Sequence, residues 1–341
     1  MAGKRMGEQT VGAFTNVRVI SRASVAGRKE EEGPLGGAFD RVLEDELDGE
    51  KSFEACEKKM FETAVRLCVQ KAGLAMDKIN YLLGGDLLNQ IISAGFAARE
   101  LKIPFLGLYG ACSTMAESLS LGSMLVEGGF ADRCVCATCS HFCTAERQYR
   151  APLELGNQRT PTAQWTVTGA GAVMVASAPC AAEAKAAVTH VTTVRVIDLG
   201  ISDANNMGAA MAPAAVDTLL AHFRDTGRSA ADYDLIVTGD LGTLGRKLML
   251  ELLEERGVSL PEKKSFDCGV EIFAPDQDTH AGGSGCGCGA SVLCAHLLPL
   301  LEDGYIKRIL FMATGALLST TSSLQGESIP SIAHAVALEH V

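Results

Sequence analysis

Gly73-Leu74-Ala75-Met76-Asp77-Lys78-Ile79-Asn80-Tyr81-Leu82-Leu83-Gly84-Gly85-Asp86-Leu87 is met again, 154 residues later, in the segment from Gly227 to Leu241. Gly73 falls on Gly227, Leu82 on Ile236, Leu83 on Val237, and Gly85-Asp86-Leu87 on Gly239-Asp240-Leu241. A helical pattern precedes each copy, Glu57 to Ala72 and Ala214 to Thr226, and each copy ends as a buried strand broken by a Gly-Asp turn. A second pair lies 175 residues apart: Gly110-Ala111-Cys112 through Glu127-Gly128-Gly129-Phe130 corresponds to Gly285-Cys286-Gly287 through Glu302-Asp303-Gly304-Tyr305. Each member opens as a small-residue turn, continues as an apolar helix, stops at a glycine and enters a strand, Arg133 to Thr138 or Arg308 to Thr314. The chain reads as an internal duplication of βαβ units, whose right-handed crossovers put helices on the faces of each sheet. The halves are expected to meet near residue 180, after the strand Gly169 to Ala176, giving an N-terminal half 1–178 and a C-terminal half 179–341.

Composition narrows the classes of function. The 341 residues are 47% hydrophobic and 21% charged, the balance of a folded globular chain. Net charge is −11, and no basic stripe suited to a phosphate backbone occurs, so nucleic acid is not an expected partner. The N-terminus lacks the apolar core of a signal peptide, so the twelve cysteines are expected to be reduced and intracellular. Cys134, Cys136 and Cys139 fall on both faces of one strand, and no CxxC pair recurs at a zinc-like interval. They read as small buried side chains rather than metal ligands. No apolar run approaches the ~20 residues needed to cross a bilayer. Two segments stand outside the repeats: a charged loop, Gly27 to Gly36, expected to be solvated, and a polar insert, Thr144 to Thr168, holding Arg147, Arg150, Arg159 and Trp165.

The chemically pointed stretch is Pro104-Phe105-Leu106-Gly107-Leu108-Tyr109-Gly110-Ala111-Cys112-Ser113-Thr114, an apolar strand running through a Gly-Ala-Cys turn into a helix. A cysteine at a helix start lies against the positive end of the backbone dipole and beside unpaired N–H groups, which favour thiolate. Cys112 is therefore a candidate nucleophile or pocket-lining group.

Several longer blocks carry a resemblance. They are Gly84-Gly85-Asp86-Leu87-Leu88-Asn89-Gln90, Leu108 to Thr114, Ser140-His141-Phe142-Cys143-Thr144-Ala145-Glu146-Arg147-Gln148-Tyr149-Arg150, Arg195 to Ile201, Met211 to Ala215, Ala274 to Gln277, Ala281 to Cys286, Ala313 to Ser319 and Glu327 to Pro330. The two halves, with a cysteine in the nucleophile position on the third helix of the first, resemble the thiolase and ketoacyl-synthase fold, layered α/β/α/β/α. More narrowly, the blocks resemble the stage V sporulation protein AD family of spore-forming Firmicutes over nearly the whole chain from about Gly33. Phe142-Cys143 departs from the Asn-Ala expected in that family.

That resemblance implies binding of dipicolinic acid (pyridine-2,6-dicarboxylate), alone or as its calcium chelate, for uptake into the developing forespore during sporulation. It also implies a peripheral place at the forespore inner membrane beside other stage V sporulation A-operon proteins. By analogy with the thiolase fold, a homodimer is expected, and neither a cofactor nor a resident metal is. The thiolase mechanism needs a His in a Gly-His-Pro sequence and a second Cys. Gly283 stands where the His would, and Ser328 to Ala333 contains no Cys; His280 and His334 lie near those places. The chain thus reads as a degenerate, non-catalytic member with Cys112 a vestigial nucleophile. The alternatives are an acyltransferase working through Cys112 and a structural partner in a membrane assembly.

A flat dianion needs charge-assisted donors and an apolar slot. The candidate ligand-binding residues are Asp86, Cys112, His141, Arg147, Arg150, Arg195, Gly282, Gly283, Ser284 and Thr314. Gly282-Gly283-Ser284-Gly285 offers N–H groups at a helix start as an anion seat. Asp86 and Asp240, at equivalent strand ends, are candidates for the pyridine region or for calcium, and Asn89 and Gln90 are weaker ones. The six or more oxygens that calcium takes are not gathered in the sequence.

Overall fold

The computed structural model describes residues 4–149 and 159–341. Ten strands carry the duplication. The first half contributes β1 (Val17–Ala26), β2 (Tyr81–Gly85), β3 (Phe105–Gly107), β4 (Arg133–Ser140) and β5 (Gly169–Ser177). The second contributes β6 (Ala186–Thr193), β7 (Leu235–Thr238), β8 (Ser265–Asp267), β9 (Arg308–Ala316) and β10 (Ser331–His340). The strand orders β1-β5-β4-β2-β3 and β6-β10-β9-β7-β8 are the same permutation used twice. In each half the strands joined by helical crossovers are parallel, and the last strand returns antiparallel.

The principal helices are α1 (Phe53–Lys71), α2 (Ile92–Leu101), α3 (Thr114–Glu127), α4 (Phe142–Tyr149), α5 (Met207–Thr226), α6 (Gly242–Glu255) and α7 (Cys286–Val292). α1 packs on β1, β4 and β5, and α5 on β9 and β10, each with a one-sided apolar stripe. α3 touches strands of both halves, as a central layer must. It is accordingly buried almost all round, with Met115, Ala116, Ser118, Leu119, Ser120, Gly122 and Ser123 under cover. α7 is buried throughout and lies against β4 and β5. The α/β/α/β/α layering follows.

The repeated glycines have a local cause. Gly73 and Gly227 follow α1 and α5 with φ of 66° and 69°, the left-handed conformation that ends a helix and costs glycine nothing.

β1 and β6 pair antiparallel at Val19 with Ala186 and Arg18 with Ala187, joining the two halves in one continuous sheet. Two readings are corrected. α5 begins at Met207 rather than Ala214. It takes Pro213 into its interior, and Asn206 caps it by accepting from the Ala209 N–H. The charged loop is not wholly solvated: Arg28–Glu31 makes one helical turn that buries Glu30, which accepts from the Thr168 N–H at 3.0 Å. Burial raises that carboxyl to about 8, so it is tolerated there in its neutral form.

Candidate functional site: Cys112 between two helix starts

After β3 the chain turns at Gly110, passes through Ala111 in the left-handed region (φ 49°) and enters α3. A non-glycine residue held there costs on the order of 1 kcal/mol and persists only where the surroundings enforce it. Cys112 follows and packs with Leu87, Ala145 and Tyr149 of the first half and Cys286 of the second. The two central helices therefore begin at one shared point.

Asp240, just past β7, ties that point together. It accepts from the Gly285 N–H at 2.9 Å, the Ser284 hydroxyl at 3.1 Å and the Thr314 hydroxyl at 3.2 Å, and its charge lies beside the Cys112 thiol. Three predicted residues, Cys112, Ser284 and Thr314, are thus brought together through one carboxylate. Burial, and then the neighbouring Asp240 charge, push the Cys112 thiol well above its usual range. Burial lifts Asp240 itself to about 6. The pull toward thiolate that a helix start supplies, ~0.3–1 kcal/mol, is smaller than the cost of ionising a buried thiol beside a carboxylate.

The glycine seat is also corrected. Gly283–Ser284 forms a short strand beside Trp165–Thr166. The Gly282, Gly283 and Ser284 carbonyls accept from the Trp165 N–H, the Gln164 amide and the Val167 N–H. A Cβ on Gly283 would lie 3.0 Å from Ile272 and Val167, and one on Gly285 2.8 Å from Ser140 Oγ. The glycines permit close approach of segments, and the Gly285 N–H is already taken by Asp240.

Asp86, the counterpart of Asp240, has different work. It accepts from the Leu88 and Ala94 N–H groups at 2.8 and 2.7 Å, clamping the entry to α2. In the second half that clamp falls to Asp267, which holds the Leu241 and Gly242 N–H groups and leaves Asp240 free to reach Cys112. Asp86 is raised to about 6 by burial, and Glu57 beside it is raised well above the carboxylate range by burial and then by Asp86.

The cationic candidates are dispersed. His141 is buried; its Nδ1 accepts from the Cys143 N–H, and its Nε2 donates to the Glu46 carbonyl at 2.9 Å. Burial lowers it to about 4, so it is neutral at physiological pH. Its ring nitrogen, Cys143 Sγ and a Glu46 oxygen lie within 4.8 Å of one another, but both nitrogens of the ring are already engaged. Arg147 pairs with Glu54 at the surface. Arg150 lies outside the described residues. Arg195 is exposed 3.5 Å from Asp217 of α5, on the outer helix layer rather than at the helix starts. His280 holds Thr160 O and lies 3.1 Å from Asp278, and His334 is buried on β10 without a partner for Nδ1. Neither histidine hydrogen-bonds Cys112. Phe142 stacks on Trp165 at 3.8 Å, with Lys29 and Arg159 over the same indole.

Between residues 88–92 and α4 opens a cleft of about 340 Å³. Its walls are Leu88, Asn89, Gln90 and Ile92 on one side and Thr144, Arg147 and Gln148 of α4 on the other, with Glu54 at its margin. Gln90 and Ile91 both have positive φ, 58° and 46°. Sequence reasoning missed Glu54, Glu57, Tyr149 and Cys286. Glu57 had a signal, since it stands in the apolar stripe of α1 with Cys56, Met60, Phe61 and Ala64; the others had none.

The fold is thiolase-like. The structure superposes on an OleA variant from Xanthomonas campestris with TM-score 0.61 and 12% identity, covering 96% of this chain and 99% of that one. It superposes on human mitochondrial 3-ketoacyl-CoA thiolase in complex with CoA with TM-score 0.59 and 14% identity, covering 97% and 99%. For 3-oxoacyl-[acyl-carrier-protein] synthase III from Aquifex aeolicus the values are 0.58 and 13%, covering 95% and 99%. At such identities the likeness is one of fold. Residues 7–339 match the family model of stage V sporulation protein AD, and the chain is 47% identical over 336 residues, 98% of each chain, to stage V sporulation protein AD of Bacillus subtilis (strain 168). The chain belongs to the stage V sporulation protein AD family, and its role lies in sporulation.

Proposed function

We propose that this chain binds dipicolinic acid, alone or as its calcium chelate, for uptake into the forespore, and that it does so without catalysis. The observation that carries the non-catalytic part is the setting of Cys112, buried among Leu87, Ala145, Tyr149 and Cys286. Burial, and then the Asp240 charge, hold it as thiol, the form that does not attack a thioester. No described histidine hydrogen-bonds Cys112 to take its proton. Family membership and the arginine and amide groups around α4 support the ligand.

The chain acts peripherally at the forespore inner membrane, handing ligand to integral partners encoded with it in the stage V sporulation A operon. No helix among the described residues is long and apolar enough to cross a membrane, which suits that place. Calorimetric titration of the purified chain with dipicolinate, with and without Ca²⁺, tests the reading. Binding below millimolar concentration is expected, and no heat up to that level sinks it. A parallel incubation with short acyl-CoA is expected to leave the intact mass unchanged. An acyl adduct removed by Cys112→Ser would establish the acyltransferase instead.

A further inference from the structure

We propose that Glu46, His141 and Cys143 bind one divalent cation of the zinc class, and that the ion pins the loop 43–50 to the start of α4. A ring nitrogen of His141, the Cys143 Sγ and a carboxylate oxygen of Glu46 lie within 4.8 Å of one another, and they are the one such cluster among the described residues. Tetrahedral zinc with bonds of about 2.0–2.3 Å sets its ligands about 3.3–3.6 Å apart, so the three atoms have ~1 Å to close. One nitrogen, one sulfur and one carboxylate, with a fourth position left to water, is a donor set for zinc. It does not suit calcium, which takes six or more oxygens. Cysteine spacing did not point here, because Glu46 and His141 stand 95 residues apart.

The histidine is set for the task before any metal arrives. His141 follows β4, is fully buried, and lies with its ring 5.6 Å from that of Phe53. Its Nε2–H goes to the Glu46 carbonyl at 2.9 Å, which leaves the lone pair on Nδ1. A metal-ligating histidine ordinarily gives its other N–H to a carbonyl or carboxylate in this way. In the free protein the Nδ1 lone pair accepts from the Cys143 N–H at 3.1 Å, and the ion takes that place. The N–H so released lies in the first turn of α4, where N–H groups have no helical partner and water serves them.

Glu46 comes from a loop with a fixed backbone. Asp45 accepts from the Leu47 and Asp48 N–H groups at 2.8 and 2.7 Å, and Asp48 accepts from the Glu44 N–H at 3.2 Å. Arg41 and Lys59 pair with Asp48 at 2.6 and 2.9 Å, so those two cations are spent there. Among the described residues no lysine or arginine pairs with Glu46, whose carboxylate lies 3.8 Å from His141 Nε2. The Glu46 side chain is 55% exposed, so it can swing inward and a hydrated ion can reach it. Cys143 is half-buried, whereas Cys134, Cys136 and Cys139 of β4 are closed to solvent. An ion held by both segments favours the folded chain by mass action.

The purified chain, stripped with a chelator and titrated with Co²⁺ and then with Zn²⁺, tests the site beside Cys143→Ala and Glu46→Gln. Cys143 departs from the Ala expected at its position, so Cys143→Ala is expected to fold, and circular dichroism of the stripped forms checks both variants. The wild type is expected to take one Co²⁺ per chain with the sulfur-to-metal charge-transfer absorption of a cobalt thiolate, and to surrender it to Zn²⁺ but not to millimolar Ca²⁺. Cys143→Ala is expected to lose the absorption and to weaken affinity about a hundredfold or more, and Glu46→Gln to weaken it about tenfold. The melting temperature is expected to rise with Zn²⁺ in the wild type and to stay level in Cys143→Ala. A wild type that binds no Co²⁺ at micromolar concentration overturns the site. So does either variant, folded, that matches the wild type in affinity within twofold.

Discussion

Two aspartates at equivalent places show how far a single residue can depart from its repeat. Asp86 closes a loop locally, whereas Asp240 holds the start of α7 through the Gly285 N–H and lies beside Cys112 of the other half, because Asp267 has taken over the local duty. Glu30 illustrates a titration that reaches the whole fold. Its folded pKa of about 8 exceeds the ordinary 4.5, so the folded state keeps a proton that the unfolded chain has released. The stability it contributes is complete below pH 4.5 and is lost as pH rises through 8, at up to about 1.4 kcal/mol per pH unit. Glu30→Gln keeps an acceptor for Thr168 and is expected to flatten the fall in urea midpoint between pH 7 and 8. An unchanged slope would contradict the assignment.

At the scale of elements, the duplication was legible because helix-ending glycines recur at fixed offsets: Gly73 with Gly227, and Gly129 with Gly304 at φ of 76° and 73°. Their turns demand the same residue in both copies. What was not legible was contact between elements distant in sequence. The β1–β6 junction rests on two residue pairs with no special side chains, and the placing of Asp240 beside Cys112 needs both halves folded. A helix start that favours thiolate is visible in sequence, whereas the carboxylate opposite it is not. The face between β5 and α7 is a further case: a Cβ on Gly171 would lie 2.4 Å from the Ala290 carbonyl oxygen. Gly171→Ala must part backbone from backbone, and a loss of about 3 kcal/mol is expected in denaturant unfolding. A loss under 1 kcal/mol would show the contact to be soft.

For the molecule as a whole, the two ends of the continuous sheet differ. Beside β8 stands the charged turn Glu262–Lys264, a protected edge. Beside β3, the other end, Leu106, Tyr109, Phe96 and Ile92 are each exposed by 41–44%. We infer that a second copy covers this end, because an edge strand pairing antiparallel with its own copy about a twofold axis satisfies both at once. Light scattering on the eluting peak is expected to give twice the 35.8 kDa chain mass, and Leu106→Lys to give the single chain. A wild type that runs as one chain at micromolar concentration would refute the dimer.

The seam at Val19 and Ala186 has a mechanical consequence. Proteins that carry cargo between two lobes commonly close on it like a hand and open to let it go, and that needs a hinge along the midline. Here the midline is joined by backbone pairing and crossed by α3, which touches strands of both halves. A seam of backbone hydrogen bonds offers no hinge of that kind, so the two halves are expected to move as one body.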